Sequence, residues 1–412
     1  MKRIKYITVF FTILFTVLLT ACGTTSSIIN ERAEEAPLEE APQENSTKPK
    51  HDKDTITLLF AGDIMAHSVN YYITTYEKIW RDVRDVISDT DLAFANIEAP
   101  IDTTKAAASY PSFNMTRKYV QAAVDAGFDV FSLCNNHTND QYKNGILETI
   151  KTTKAIKEYT KENFGNDIYF SGTKEKADSK LSAFTYNYFD ANGWKILFLP
   201  ITELLNRPDA SDYINFIKPD DDSRKAFIKY AKELREANPC DLFIISVHTS
   251  EPEYTRNITE KQNQYYMDLL DAGADFVWAN HAHIIKDRKI VIDTKTGRDK
   301  LIMYANGNTI SGQRTKPELT SKNPTGERDN TGDGLFYIVT MHRDKDGSMK
   351  IKKCEPYFIT TYINTANEYV IKPLNQSFVD YLYDVPRTNW AKYIERRIKI
   401  NKEATKDLIE WQ

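Results

Sequence analysis

The chain has 412 residues, of which 41% are hydrophobic, enough to bury the core of a sizeable α/β domain. Its 54 Lys and Arg against 58 Asp and Glu leave a formal charge of −4. With no basic stretch interleaved with aromatics, that balance argues against nucleic acid as a partner. Four cysteines are a weak redox signal, and Cys134 and Cys240, at or next to strand-like runs, read as buried thiols rather than a disulfide framework.

From the N-terminus, Lys2, Arg3 and Lys5 precede an apolar run at 7–19 and then Leu19-Thr20-Ala21-Cys22-Gly23. A basic start, an apolar middle and small residues before a cleavage point make an export signal. Leu-x-Ala-Cys-Gly resembles the lipobox of bacterial lipoproteins. That resemblance implies that residues 1–21 are removed and that Cys22 is lipidated. A plain transmembrane anchor is the alternative, although the run is short for a span of about 20 apolar residues. Cleavage removes three positive residues and no negative one, which takes the formal charge from −4 to −7. Residues 22–54 are rich in Glu, Pro and Lys, with almost no bulky apolar side chain after Ile29. Such a linker cannot bury enough surface to order itself. It would tether a folded part, residues 55–412, at a distance from the membrane, with His51 solvated.

In the folded part, strand and helix signals alternate, the pattern of a layered α/β fold. Strands are predicted at 57–61, 92–96, 130–134, 194–200, 242–247, 276–279, 301–305 and 335–341. Helices are predicted near 78–87, 116–126, 144–158, 223–237 and 260–272, with a charged, helix-like stretch at 390–411. Two segments echo each other. Residues 125–137 read DAGFDVFSLCNNH and residues 271–283 read DAGADFVWANHAH. Both run from a helix end through Gly127 or Gly273, suited to φ > 0 after a helix, into an apolar strand that ends on ligand-type residues. This suggests two halves of the fold facing one site.

Several predicted strands end in such residues. The first leads into Gly62-Asp63-Ile64-Met65-Ala66-His67, the second into Asn96-Ile97-Glu98 and the third into Asn135-Asn136-His137. Later strands lead into His248 and into His281-Ala282-His283. Two carboxylates, an amide and imidazoles suit divalent metals, and strand C-termini are where α/β sheets place ligands. Five of the seven histidines fall in these motifs, which random scatter would not produce. Each alone has a bland reading: a capping Asp, or a hydrogen-bonded His in a loop.

The order Asp, acidic residue, Asn-His, His, His-x-His resembles the calcineurin-like metallophosphoesterases, and more closely their CapA-type branch, the poly-γ-glutamate capsule-synthesis family. Gly62-Asp63-Ile64-Met65, Ala95-Asn96-Ile97-Glu98-Ala99-Pro100, Asn135-Asn136-His137 with Asp140 and Gly145, and Tyr304-Ala305-Asn306-Gly307-Asn308 carry the likeness. It implies a four-layer α/β/β/α sandwich with metals at the strand C-termini. It implies that Asp63 and His283 bind one metal, that Asn136, His248 and His281 bind the other, and that Glu98 bridges them. His137 would be the acid for the leaving group, oriented by Asp140. Asn308 would be a further metal or substrate contact. The pattern departs from the superfamily in three places. Met65 stands where the superfamily has a His, and three readings of His67 stay open: it turns back to replace that His, it contacts substrate, or it sits at the surface. Glu98 replaces Asp at the bridge. Asn280 replaces Gly before His281 and would narrow the approach.

The donor set, with no thiolate, implies Mn, Zn, Fe or Co without choosing among them. The expected role is that of a lipid-anchored, extracytoplasmic protein of the bacterial envelope. It would be a metal-dependent hydrolase or transferase acting on an anionic capsule polymer such as poly-γ-glutamate, together with membrane capsule-synthesis proteins. An extracytoplasmic phosphoesterase acting on a phosphate-containing substrate, and a non-catalytic scaffold, are the alternatives. No Lys or Arg cluster in the sequence flags a track for a long polyanion.

Overall fold

The computed structural model describes residues Asp52–Trp411; the predicted export signal, Cys22 and nearly all of the predicted linker lie outside them. No helix among the described residues is long and apolar enough to cross a membrane. The strands are β1 (Thr55–Ile64), β2 (Leu92–Ile97), β3 (Val130–Ser132), β4 (Tyr169–Ser171), β5 (Asn187–Ala191), β6 (Trp194–Thr202), β7 (Leu242–His248), β8 (Phe276–Asn280), β9 (Arg288–Asp293), β10 (Arg298–Met303), β11 (Asn308–Ile310), β12 (Asp333–Arg343), β13 (Met349–Ile363), β14 (Tyr369–Pro373) and β15 (Asp407–Trp411).

They form two half-sheets. One runs β4-β3-β2-β1-β12-β13, with β11 on β1 and β14 on β13; the other runs β5-β6-β7-β8-β10-β9-β15. A single register pair, Arg298 with Met349, links them. Period-two alternation gives each half-sheet two buried faces. In β1, Ile56, Leu58 and Phe60 point to the core between the half-sheets, and Leu59 and Ala61 point to a helical layer. In β7, Leu242 and Ile244 point inward, and Phe243, Ile245 and Val247 point to the opposite helical layer. Helices Arg117–Asp125 and Tyr142–Phe164 pack on the first half-sheet; Asp221–Ala237 and Glu260–Asp271 pack on the second. This is the expected four-layer α/β/β/α sandwich.

The inner core is aromatic. Phe60 stacks on Phe94 at 4.7 Å and meets Phe276 of the other half-sheet edge-on at 5.7 Å. Trp278 finds a partner for its indole across the interface, donating to the Ala61 carbonyl at 2.9 Å.

The internal echo is structural. Gly127 and Gly273 take φ of 112° and 107°. The Asp two residues later clamps the start of the neighbouring strand in both copies. Ala93 N–H donates to Asp129 at 2.9 Å, and Phe243 N–H donates to Asp275 at 2.8 Å. The repeated Asp thus registers each ligand-bearing strand against its neighbour.

The structure adds short strands and helices that the sequence reading did not predict, and it differs from the predicted elements as follows. The helix at 78–87 is two short helices, Glu77–Trp80 and Arg84–Ser88, because the backbone leaves the helical region at Val83 (φ −127°). Ile79, Trp80, Val83 and Ile87 are all buried, so the apolar periodicity runs unbroken across that kink. The strand expected at 301–305 is β10, ending at Met303, and Tyr304–Gly307 turn toward the site. The long β13 was not expected, since lysines and Glu355 interrupt its pattern; it pairs with β12 along its length. The stretch 390–411 is helix Thr388–Ala404 followed by β15, which joins β9.

Gly62 is required by close approach. A Cβ there would sit 1.8 Å from the Gly307 carbonyl oxygen, which also accepts the Asp63 N–H at 3.1 Å. Gly62→Ala is expected to lower unfolding free energy by about 1–3 kcal/mol through overpacking. Urea denaturation measures this, and an unchanged midpoint would contradict the contact.

Candidate metal centre

The tips of β1, β2, β7 and β8, with the turn after β3, converge on one buried cluster. At the tip of β1, Asp63 accepts a hydrogen bond from Asn96 Nδ2 at 2.8 Å. Asn135 Nδ2 in turn donates to the Ile97 carbonyl at 2.7 Å and lies 3.3 Å from Asn96 Oδ1. These two amides orient Asp63 and the chain leading to Glu98. Glu98 is fully buried, and its Oε1 has no hydrogen-bond partner. His248 Nε2 and His283 Nε2 each stand 3.8 Å from that same oxygen, too far for a hydrogen bond. Burial, and then the charge of Asp63, push the Glu98 carboxyl well above its usual range. Among the described residues no Lys or Arg pairs with Asp63 or Glu98.

Three groups of side chains bring their donor atoms within 4.8 Å of one another: Asp63, Glu98 and His283; Glu98, His248 and His281; and Glu253, His281 and His283. The first two share Glu98. Asn136 Oδ1 lies 2.9 Å from His248 Nε2. Burial, followed by neighbouring imidazoles, depresses His248 well below its usual value and lowers His281 to about 4. Both rings are therefore neutral at pH 7, the form that binds metal. His283 Nδ1–H donates to Asn308 Oδ1 at 3.0 Å, leaving Nε2 toward Glu98. Asn308 Nδ2 donates to Ser311, Gln313 and the Thr331 carbonyl, so Asn308 orients His283. A buried carboxylate oxygen without a hydrogen-bond partner among the described residues, shared by two imidazole-bearing groups, fits divalent cations.

The backbone here is strained. His281 and His283 have φ of 96° and 55°, and Tyr254, whose N–H donates to the Ala282 carbonyl at 3.0 Å, has φ 59°. Such angles in β-carbon-bearing residues are uncommon and gather at functional sites.

Beside the cluster, His137 Nδ1–H donates to Asp140 Oδ2 at 2.7 Å, and Asp140 is held by the Phe113 N–H at 2.8 Å. Asn206 Nδ2 lies over the ring, 3.1 Å from Nδ1. A cavity of about 830 Å³ opens onto His137, His283, Glu253 and Met65. Arg207 lies over the Tyr142 ring at 4.4 Å and Arg328 over Tyr254 at 5.6 Å, both at the cavity wall. Neither forms an ion pair with a carboxylate among the described residues.

His67 does not replace the imidazole missing at Met65. It belongs to none of the three groups. Its Nδ1 accepts the Gly312 N–H at 3.1 Å, which places the ring proton on Nε2 at the cavity. Burial, with His283 and His137 nearby, lowers it to about 3, so it is a neutral donor. Asn280 does not narrow the approach: it is buried against Ser246 and does not line the cavity. Cys134 is buried and its thiol is pushed up by burial; Cys134, Cys240 and Cys354 are all free.

Sequence reading missed Glu253, Asn96, Asn135, Asn206, Arg207 and Arg328. Asn96 and Asn135 stand beside predicted ligands and were legible as motif members. Glu253, Asn206 and Arg207 sit on loops and Arg328 on the one-turn helix Glu327–Asn330, and none of these segments carries a ligand signal.

A curated relative from Bacillus anthracis, "Capsule biosynthesis protein CapA", is 26% identical over 283 residues, covering 65% of this chain and 63% of that protein. "PGA biosynthesis protein CapA" of Bacillus subtilis (strain 168) is 24% identical over 271 residues, covering 64% and 65%. The chain thus spans under two thirds of either relative's length. Among solved structures, "calcineurin-like phosphoesterase YfkN from Bacillus subtilis" aligns with a TM-score of 0.41 at 13% identity, over 83% of this chain and 99% of that one. Residues 57–313, well over half of the chain and including every strand tip of the cluster, match "Bacterial capsule synthesis protein PGA_cap", and the chain belongs to that family.

Proposed function

We propose that this chain is a lipid-anchored envelope protein whose sandwich is a metal-dependent hydrolase or transferase acting on an anionic capsule polymer such as poly-γ-glutamate. The observation that carries this is Glu98 Oε1, buried without a hydrogen-bond partner and shared by two ligand groups beside the His137–Asp140 pair. Asp63 and His283 would hold one cation and Asn136, His248 and His281 the other, with Glu98 available to both. Two such cations, of the Mn, Zn, Fe or Co type, would supply Lewis-acid polarisation of the scissile group and a more acidic water.

The chain's own residues do the rest. Asp140 fixes the His137 tautomer through Nδ1 and stabilises the imidazolium, so that Nε2 can deliver a proton to the leaving atom. His67 Nε2–H donates to a substrate oxygen. Arg207 and Arg328, stacked on tyrosines and without carboxylate partners, receive acid groups of the substrate. The relatives' printed names support a γ-glutamyl polymer. The lipid anchor at Cys22 would keep the site beside membrane partners of capsule synthesis. The two arginines suit phosphate equally, which keeps an extracytoplasmic phosphoesterase as the second reading.

Elemental analysis of the full-length protein, with turnover of γ-glutamyl oligomers against phosphoesters, tests the proposal. His137→Ala is expected to lower turnover by about 10²–10⁴-fold while both cations stay bound. A parent protein that takes up no cation when offered Mn or Zn would sink the enzymatic reading and leave a scaffold.

A further inference from the structure

We propose that Glu253 is a further ligand of this centre, set beside His281 and His283, where Met65 supplies no hard donor; this rests on the two-cation reading above. The strand tips offer the cation beside Asp63 only three donors: Asp63, Glu98 and His283. The next candidate from β1, Met65, ends in a thioether, a soft ligand that matches a carboxylate-rich site poorly. Glu253 brings a carboxylate oxygen within 4.8 Å of donor atoms on both His281 and His283, and its Oε1 lies 3.7 Å from His281 Nε2.

Glu253 does not come from a strand tip. It is delivered by the loop after β7, and that loop is held from both ends. Thr249 N–H donates to the Asn280 carbonyl at 3.4 Å. Ser250 donates through N–H and Oγ to Glu203, both at 3.3 Å, and Arg224 grips Glu203 with two bonds of 2.7 and 2.8 Å. Just past Glu253, Tyr254 takes φ 59° so that its N–H reaches the Ala282 carbonyl, between the two histidines. The strained residue therefore fixes Glu253 against the His281–His283 pair. Among the described residues no Lys or Arg pairs with Glu253. Glu253 lines the cavity beside Tyr254, whose hydroxyl interacts with its carboxylate. Three carboxylates with neutral imidazoles leave two divalent cations net positive, which favours an anionic substrate.

The test is cobalt(II) titration of the full-length, cation-free protein, read by stoichiometry and by the d–d absorption of the bound metal. Glu253→Gln is compared with Glu253→Asp and with Glu251→Gln, a control on the same loop whose carboxylate accepts from Thr259 at 3.2 Å. The parent and E251Q are expected to bind two equivalents alike. E253Q is expected to weaken one of them by at least about tenfold and to alter its spectrum, since even groups behind the ligands change metal affinity by about 10–100-fold. E253D, keeping a carboxylate on a shorter arm, regains part of that loss. Matching unfolding of the cation-free forms establishes that the fold is intact. E253Q with the parent's stoichiometry, affinity and spectrum would overturn the ligand assignment and leave the two-cation centre standing. A parent that binds no cobalt overturns that centre, and Glu253's role with it.

Discussion

Asp333→Asn is expected to lower unfolding free energy by about 3–5 kcal/mol, the usual cost of breaking a buried ion pair from one side. Asp333 is fully buried, as are Arg314 and Arg397, which it pairs with at 2.8 and 2.7 Å. Thr360 and Asn401 donate to the same carboxylate at 2.8 and 2.6 Å. The amide would remove the carboxylate that both guanidinium groups pair with in the interior. Those contacts tie helix Thr388–Ala404 to β12 and β13, and they reach the metal cluster. The Asp333 carbonyl packs against Gly307, and Thr331, two residues before it, accepts from Asn308, which orients His283. Urea denaturation at neutral pH measures the loss; a change below about 1 kcal/mol would mean that the arginines find other partners.

The same cluster sets a pH dependence. Burial would raise the Asp333 carboxyl, but Arg397 and Arg314 outweigh it and hold it below the usual carboxylate range. A group whose folded pKa is depressed contributes stability above its unfolded pKa, about 3.9. That contribution disappears as pH falls through the lower folded value. The parent should therefore lose stability below about pH 4, and the Asp333→Asn variant should lose less over the same range. Parallel acid slopes would remove Asp333 as the cause.

Glu98→Gln is the second large effect: loss of both cations and, with them, of turnover. Glu98 is common to both ligand groups, so its removal takes a charged donor from each. In the parent, a cation at 100 times its Kd is expected to add about 2.7 kcal/mol to stability per site. The variant should show no such gain. Without cations it should unfold no earlier than the parent, because the amide replaces a buried carboxylate that faces Asp63 with one oxygen partnerless. Stabilisation of Glu98→Gln by Mn or Zn equal to that of the parent would refute the shared carboxylate.

The residues of the buried cluster were legible because strand ends are local. Asp63, Glu98, Asn136, His248, His281 and His283 each follow an apolar run whose length and β-rich composition announce a strand, and buried parallel strands deliver their C-terminal residues to one edge. His137 with Asp140 was legible for the same reason, being three residues apart on one turn. Glu253, Asn206, Arg207 and Arg328 were not. Their loops, and for Arg328 a single helical turn, carry no periodicity, and they reach the site through contacts such as Tyr254 with Ala282. The cavity arginines lie far apart in sequence, so no basic cluster could flag them. The roles of His67 and Asn308 also lay beyond sequence, since each depends on one partner: Gly312 for His67, and His283 for Asn308.

The sequence by itself determined the alternation of strands and helices, the two echoing αβ units and the ligand types at their ends. Local periodicity, turn-forming glycine and residue chemistry decide those. Only the tertiary structure decided that the echoes lie in opposite half-sheets, and that β15 closes an edge although its own segment reads as helix. It alone decided which loops complete the cluster. Those outcomes depend on partners distant in the chain: β9 for β15, the Ala282 carbonyl for the Glu253 loop, and Asp333 for the C-terminal helix. A partner contributed by another element leaves no periodic trace in the segment that meets it.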